Sequence, residues 1–375
     1  MRIAIVINTS WNIYNFRLNL IKALQALGHE VIAIAPPDAY SARLEAAGCQ
    51  YVPILMENKG TNPLQDLLLI KRFYKVYKQV QPAVILQYTI KPNIYGTLAA
   101  KLAGIPTVNN VSGLGTVFIV RNLVSKVALR LYRLAFRYPE KVFFQNPDDQ
   151  KLFTDYKLVK PGLTDVLPGS GIDTRQFRPA PVFTRHRPFT FLMIGRILYE
   201  KGVVEFVEAS RALKQKYPDI RCQLLGGFDE AGNVGIKKNL FMAWVNEGAI
   251  EYLGTSDDVA SCILNSDCVV LPSYREGTPK TLLEAAALGK PIITTNVPGC
   301  KETVVNGVNG LLCEVRNATD LAAKMEQIYV LPAKELEKTG AASRQLAVTK
   351  FDEQFVINKY LAVIAGITAK ANQIK

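Results

Sequence analysis

Two carboxylates, Glu276 and Glu284, stand with seven residues between them in the stretch Leu-Pro-Ser-Tyr-Arg-Glu-Gly-Thr-Pro-Lys-Thr-Leu-Leu-Glu at 271–284. Being about two helical turns apart, they cannot work as an acid/base pair on one atom. They are spaced to grip two parts of one long ligand, and carboxylates accept hydrogen bonds from sugar hydroxyls. Upstream, Arg196 and Lys201 offer two cations near a helix start, which suits a diphosphate leaving group. Taken alone, Glu276 would be a solvated loop residue and Glu284 a surface helix residue.

The surrounding pattern says what must hold them. Cys268-Val269-Val270-Leu271 reads as a strand buried on both faces, ended by Pro272 and Ser273. Gly277 loosens the loop that follows, Thr278 can cap a helix, and Pro279 suits a first helical turn. Leu282, Leu283, Ala286 and Ala287 give that helix one apolar face. A helix N-terminus at the end of a buried strand is where open α/β sheets take anions. Residues 189–194 read as another strand, turned at Gly195 ahead of Arg196.

The same alternation runs along the whole chain. Strands are expected over 3–7, 31–35, 51–55, 83–87 and 107–111, with helices at about 15–27, 41–47, 63–79 and 93–103. After a Pro- and Arg-rich stretch the pattern restarts, with strands at 189–194, 221–225, 250–253, 268–271, 292–295 and 310–313. The expectation is an α/β protein with a first domain at 1–170, a linker at 171–188, a second domain at 189–351 and a C-terminal helix at 352–375. Asn8 and Thr9 follow the first strand, where backbone N–H groups can meet a phosphate or an acceptor; Lys91 and Asn93 follow the 83–87 strand and can do the same. No glycine lies between Met1 and Leu27, so a close backbone approach to a ligand there is not assured.

Charge is uneven. Net charge is +13 over 375 residues, and residues 1–170 hold 20 Lys and Arg against 10 Asp and Glu. No acidic residue lies between Leu67 and Pro139, so this half suits an anionic partner, although solvation alone also explains a charge excess. Over 121–137 the helical pattern puts Lys126, Arg130, Arg133 and Arg137 in one stripe beside an apolar surface that includes Leu123, Val124, Tyr132 and Phe136. Two expectations are open here: an interfacial helix whose cations meet lipid phosphate while its aromatics dip inward, or a domain helix with one wet edge. Six cysteines show no metal spacing and several lie in apolar strands, which suits reduced thiols in a cytoplasmic protein. Asp148–Asp149 and Asp257–Asp258 read as surface acids, and no metal site is expected. No segment has the length of a signal peptide core or a transmembrane span.

The Glu-(seven residues)-Glu spacing, in an E-G-x-P-x-x-x-L-E-A setting, resembles the donor-site signature of glycosyltransferase family 4, retaining enzymes of the GT-B fold. Ile194-Gly195-Arg196 with Glu200-Lys201-Gly202 is similar to that family's G-R-x-x-x-x-K-G element. Leu167 to Asp173, followed by Phe177 and Pro179, is similar to its entry into the second domain. More narrowly, Tyr88 to Gly96 and Asn109 to Gly115 resemble bacterial transferases that extend glycans on polyprenyl diphosphate, N-acetylgalactosaminyltransferases among them.

The resemblance implies two Rossmann-like domains facing a cleft, a UDP-sugar as co-substrate, no cofactor and no metal. It gives Arg196, Lys201 and Glu276 catalytic roles: the cations stabilise the departing nucleotide diphosphate and Glu276 holds donor-sugar hydroxyls. Gly195, Gly226, Thr255, Ser256, Gly277, Thr278, Pro279, Lys280, Thr281 and Glu284 would bind the donor, with Glu284 on the ribose and the base between Gly226 and the 253–256 turn. Many family members place a histidine after the 107–111 strand. Here the only histidines are His29 and His186, which leaves Asn109, Asn110 or Ser112 to replace it.

Three functions are compatible with these residues. The first is transfer of a hexose or N-acetylhexosamine from a UDP-sugar to a polyprenyl-diphosphate-linked glycan at the inner face of the cytoplasmic membrane, with an anionic lipid surface and no nucleic acid as partner. The second is a soluble enzyme of the same fold acting on a small acceptor or a sugar nucleotide. The third, a non-enzymatic binder of anionic lipid or nucleic acid, has no use for the Arg196, Lys201, Glu276 and Glu284 set and shows no RNA-binding motif.

Overall fold

The computed structural model describes residues 1–57, 63–114, 123–228 and 235–373. The chain divides into two compact units, one of Met1–Ser170 with Gln354–Lys375 and one of Gly171–Glu353. Each is a Rossmann-like α/β unit. Gly115, Arg121 and the side chains of Leu123 and Val124, part of the motif and helix readings above, lie outside what is described.

The first unit holds a sheet in the order β3-β2-β1-β4-β5-β6-β7, with all pairings parallel. Its strands are β1 (Arg2–Val6), β2 (Glu30–Ala35), β3 (Gln50–Pro53), β4 (Val84–Tyr88), β5 (Thr107–Val111), β6 (Lys141–Phe144) and β7 (Thr164–Val166). Side chains alternate along each strand, so Ile3 and Ile5 of β1 enter one core while Ala4 and Val6 enter the other. The helix Ser10–Ala26 covers the first face through Ile13, Leu20, Ile21 and Leu24. The helix Glu353–Gln373 adds Val356, Ile357, Tyr360 and Ile364 to that same core. On the other face, Phe73 and Tyr77 of the helix Pro63–Val80 stack with ring centroids 5.6 Å apart.

Several expectations need correcting. The first helix starts at Ser10 rather than near residue 15, because the Thr9 hydroxyl accepts from the Asn12 N–H at 3.1 Å and caps it. The expected helix at 93–103 is a π-helical turn, Pro92–Gly96, followed by an α-helix, Thr97–Ala103. Asp149 is fully buried rather than a surface acid: Asn146 caps the helix Pro147–Asp155 through the Asp149 N–H and donates to the Asp149 carboxylate. In the helix Leu123–Ala135 and just after it, Tyr132 and Phe136 do not face outward; they meet Phe153 in edge and tilted contacts within the core. Burying two aromatic rings against the sheet outweighs leaving them for lipid. Lys126, Arg130, Arg133 and Arg137 are exposed, together with Val127 and Leu134.

The second unit repeats the plan with a parallel sheet in the order β10-β9-β8-β11-β12-β13. Its strands are β8 (Thr190–Ile194), β9 (Arg221–Leu225), β10 (Glu251–Tyr252), β11 (Cys268–Leu271), β12 (Ile292–Thr295) and β13 (Gly310–Cys313). The strands β8 and β11 are buried along their whole lengths, as central parallel strands covered on both faces must be. Residues 171–188 are fastened to this unit: Arg344 donates to the Thr174, Phe177 and Ala287 carbonyls, and the His186 N–H donates to Asp267 at 2.8 Å.

Candidate functional site

In the second unit the 271–284 stretch leaves β11 and is pinned at once. Thr294 donates through its hydroxyl to the Leu271 carbonyl at 2.7 Å, and the Thr295 hydroxyl donates to the Ser273 carbonyl. Ser273, fully buried, donates to Glu276 Oε1 at 2.7 Å, and the Tyr274 N–H donates to the Glu200 carbonyl at 2.9 Å. Lys201 Nζ contacts the same Glu276 oxygen as an ion pair, with both side chains largely shielded. Lys201 ends the short turn Tyr199–Lys201, and Gly202, at φ 74°, opens the helix Val203–Lys216. A Cβ on Gly202 would lie 2.1 Å from the Pro272 carbonyl oxygen, so only glycine lets this turn approach the loop.

Downstream, the helix runs Lys280–Ala287, and Pro279 occupies its N-cap position rather than its first turn. The Thr278 hydroxyl donates to the Gly277 carbonyl at 2.9 Å. Glu284 is buried within one turn of Lys280, whose Nζ is 3.8 Å away. Burial pushes the Glu284 carboxyl up to about 6, against the pull of Lys280. Thr281 is half-buried beside them.

A second cluster forms where β8, β9 and β10 end. Gly226, at φ 158°, donates its N–H to the Gly254 carbonyl at 2.7 Å, and a Cβ there would stand 1.9 Å from the Gly195 carbonyl oxygen. Gly195 in turn lies against the Lys201 side chain. Thr255 and Ser256 are exposed on the adjoining turn, and Ser256 accepts from the Asp258 N–H at 3.0 Å. Arg196 is exposed on the loop after β8 and makes no ion pair among the described residues. The second unit thus brings together Gly195, Lys201, Glu276, Gly277 and Thr278, while Arg196 stands apart as a cation facing solvent.

Sequence reasoning missed Ser273, Tyr274, Glu205 and Thr295. Tyr274 donates to Glu205 at 2.7 Å while the Arg316 guanidinium sits 4.6 Å over its ring. The Ser273–Glu276 spacing of three residues was a readable signal for a turn-closing hydrogen bond; the Glu205 and Thr295 contacts join distant segments and carried none.

In the first unit, Lys91 pairs with Asp66 at 3.3 Å, and the Tyr95 hydroxyl donates to the other Asp66 oxygen at 2.7 Å. Lys91 borders a cleft of about 360 Å³ that Pro36, Leu55, Met56, Leu69 and Arg72 also line, with Glu57 and Gln65. Asn8 accepts from the Asn12 side chain at 3.1 Å. Asn93 and Asn110 are buried, and their amides are engaged inside the fold: Asn93 donates to the Asn110 carbonyl at 2.8 Å and Asn110 donates to the Tyr360 hydroxyl at 3.0 Å. Ser112, half-buried, donates to Asn110 at 3.1 Å. Among the described residues no three His, Cys, Asp or Glu side chains come together as a metal cluster, and no helix is long and apolar enough to cross a membrane.

Comparison with known proteins agrees with this layout. The family described as "Glycosyl transferases group 1" matches residues 175–346, and "Glycosyl transferase 4-like" matches residues 2–146. The chain is 32% identical, over 96% of its length and 97% of the relative's, to an N,N'-diacetylbacillosaminyl-diphospho-undecaprenol alpha-1,3-N-acetylgalactosaminyltransferase of Campylobacter jejuni. It is 26% identical, over 71% of each chain, to a UDP-Gal:alpha-D-GlcNAc-diphosphoundecaprenol alpha-1,3-galactosyltransferase of Escherichia coli. Among solved structures, Anabaena HepE in complex with UDP and glucose superimposes with a TM-score of 0.79 at 19% identity, covering 96% of this chain and 98% of that one. A glycosyltransferase from Rickettsia africae gives 0.76 at 21% identity, covering 98% of both. Matched over nearly its whole length by one relative and with both of its units built on the same plan, the chain belongs to the GT-B glycosyltransferases, group 1 in its second unit and 4-like in its first, and it is a glycosyltransferase.

Proposed function

We propose that the protein is a retaining enzyme that moves a hexose or N-acetylhexosamine from a UDP-sugar to a polyprenyl-diphosphate-linked saccharide. The observation that carries this reading is the Lys201–Glu276 pair braced by Ser273 below a glycine-lined strand end, in a chain 32% identical over nearly its whole length to a transferase named for an undecaprenyl-diphosphate acceptor. The UDP seen in the HepE complex supports the choice of donor.

On this reading the sugar–phosphate bond breaks and an acceptor hydroxyl bonds to the same face of C1, its proton passing to the departing phosphate. Arg196 and Lys201 hold the charge that grows on the diphosphate, with the N–H groups near Gly277 and Thr278. Lys201 exchanges Glu276 for phosphate, which frees the Glu276 carboxylate for donor-sugar hydroxyls. Glu284 holds the ribose, Lys280 and Thr281 flank the phosphates, Pro279 fixes the start of their helix, and Gly195, Gly226, Thr255 and Ser256 border the base. Arg196 and Lys201 supply the neutralisation, so the reading requires no metal.

The acceptor falls to the first unit, with Asn8, Thr9, Lys91 and Ser112 half-buried and Asn93 and Asn110 shaping the turns that carry them. Lys126, Arg130, Arg133 and Arg137 face an anionic membrane surface, with Val127 and Leu134 entering the headgroup layer in place of the buried aromatics. On this reading the enzyme works at the inner face of the cytoplasmic membrane.

The test is incubation of purified protein in detergent with a bacterial lipid-linked glycan fraction and a panel of radiolabelled UDP-sugars, counting label in the organic phase. Label from one donor, abolished by Glu276→Gln, establishes the reading; UDP binding without transfer to lipid from any donor sinks it.

A further inference from the structure

Arg17 is a buried cation without a counter-ion among the described residues. It sits in the middle of the helix Ser10–Ala26, is 4% exposed, and projects toward the carboxyl edge of the first unit's sheet, where its guanidinium lies 4.3 Å over the ring of Tyr88, the last residue of β4. Its Nε has no hydrogen-bond partner, and it pairs with no carboxylate among the described residues. Burial holds the neighbouring phenols of Tyr88 and Tyr360 well protonated, so neither balances its charge.

A guanidinium removed from water needs paired, hydrogen-bonded acceptors. The tyrosine ring offers an electrostatic attraction but accepts none of its five N–H donors in the plane where they point. Beside it, Asn110 donates to Tyr360 and accepts from Ser112, while the buried Tyr88 hydroxyl, like the Arg17 Nε, has no partner among the described residues. The next residue along, Thr89, has φ 62°, a left-handed conformation that a β-branched side chain adopts only when its surroundings impose it, and the π-helical turn Pro92–Gly96 follows. Thr89 and Ser112 are half-exposed and connect the corner to solvent.

We infer that Arg17 is an anion-binding residue, and that it takes a phosphate oxygen of a diphosphate presented at the ends of β4 and β5. A planar fork stacked on an aromatic face is pre-organised for bidentate phosphate binding. Both substrates of the proposed reaction carry a diphosphate. The position of Arg17 in the acceptor-side unit favours the lipid-linked one, and that assignment rests on the functional reading above.

The test compares wild type with Arg17→Met, which keeps the aliphatic stem, and Arg17→Lys, which keeps the charge but loses the fork. Affinity for UDP is measured first, then affinity for farnesyl diphosphate in saturating UDP, with the ligand-free melting temperature of each variant beside them. The expected result is an Arg17→Met protein at least as stable as wild type without ligand, binding farnesyl diphosphate about tenfold or more weakly with UDP unchanged, and partial recovery in Arg17→Lys. Loss of UDP affinity instead would keep Arg17 as a phosphate ligand and assign it to the nucleotide. A lower melting temperature with both affinities unchanged would make Arg17 a structural pin and overturn the inference. Wild type that binds farnesyl diphosphate but never labels a lipid acceptor would instead count against the functional reading alone.

Discussion

Lys201 and Glu276 meet through one carboxylate oxygen, Oε1, to which the buried Ser273 hydroxyl also donates at 2.7 Å. One atom therefore carries both the ion pair and the hydrogen bond that fixes the loop.

The first prediction concerns this pair. Removing either partner leaves the other charge poorly compensated in a shielded place, so Lys201→Met and Glu276→Gln each destabilise the protein, and the double variant loses less than the sum by about 1–3 kcal/mol in urea unfolding. Each single change lowers turnover by about 100- to 1000-fold, as loss of a group that stabilises transition-state charge does. Ser273→Ala, which unties the carboxylate without deleting it, costs turnover less than either. Additive stability effects would show that the two side chains do not interact in solution.

Glu284 gives a pH signature. Its folded carboxyl titrates near 6 against an ordinary 4.5 because burial disfavours the ionised form. The folded state thus retains a proton that the unfolded state has released, and stability declines as pH rises from about 4.5 through 6. Glu284→Gln abolishes that decline, so between about pH 4.5 and 7 the wild type loses about 2 kcal/mol relative to the variant. If Glu284 accepts a ribose hydroxyl, UDP affinity in the wild type moves the opposite way and strengthens as pH rises through 6. Parallel stability curves for the two proteins would remove the burial argument.

Two glycines separate strain from contact. Gly299 and Gly307 have φ of 86° and 79°, but a Cβ on Gly299 would stand 2.2 Å from the Glu276 carbonyl oxygen while one on Gly307 meets nothing within 4 Å. Gly307→Ala should cost about 1 kcal/mol of stability and leave turnover intact. Gly299→Ala should cost about 1–3 kcal/mol and also depress kcat, because relief requires moving the Glu276 backbone. Steady-state kinetics beside thermal melts distinguish the two.

The exposed basic face gives a fourth prediction. With each cation near an anionic bilayer contributing about 1 kcal/mol, replacing Arg130 and Arg133 by Glu should weaken binding to phosphatidylserine vesicles by at least about 30-fold and flatten its salt dependence. Unchanged flotation would assign those residues to solubility.

Much of the fold was legible because parallel strands covered on both faces must be continuous apolar runs: Cys268–Leu271 and Ile292–Thr295 announce themselves. Lys141–Phe144 and Thr164–Val166 did not, the first a short run close behind a basic helix and the second a three-residue strand with a half-buried Thr-Asp-Val pattern. In the same way, the Glu276 and Glu284 spacing was local and readable. The contact between Lys201 and Glu276 was not, since it joins residues 75 positions apart and depends on how closely Gly202 approaches Pro272. Tyr132 and Phe136 show the limit of helical periodicity: it marked them as apolar but could not say whether sheet or lipid would cover them.

The core of the first unit is closed by Val356, Ile357, Tyr360 and Ile364, which are made after all of the second unit. On the ribosome, therefore, the N-terminal sheet must wait with one apolar flank incompletely covered while the intervening residues are synthesised and folded. Expressing 1–170 by itself would reproduce that waiting state rather than a finished domain, and supplying 354–375 as a separate peptide would be the way to complete it.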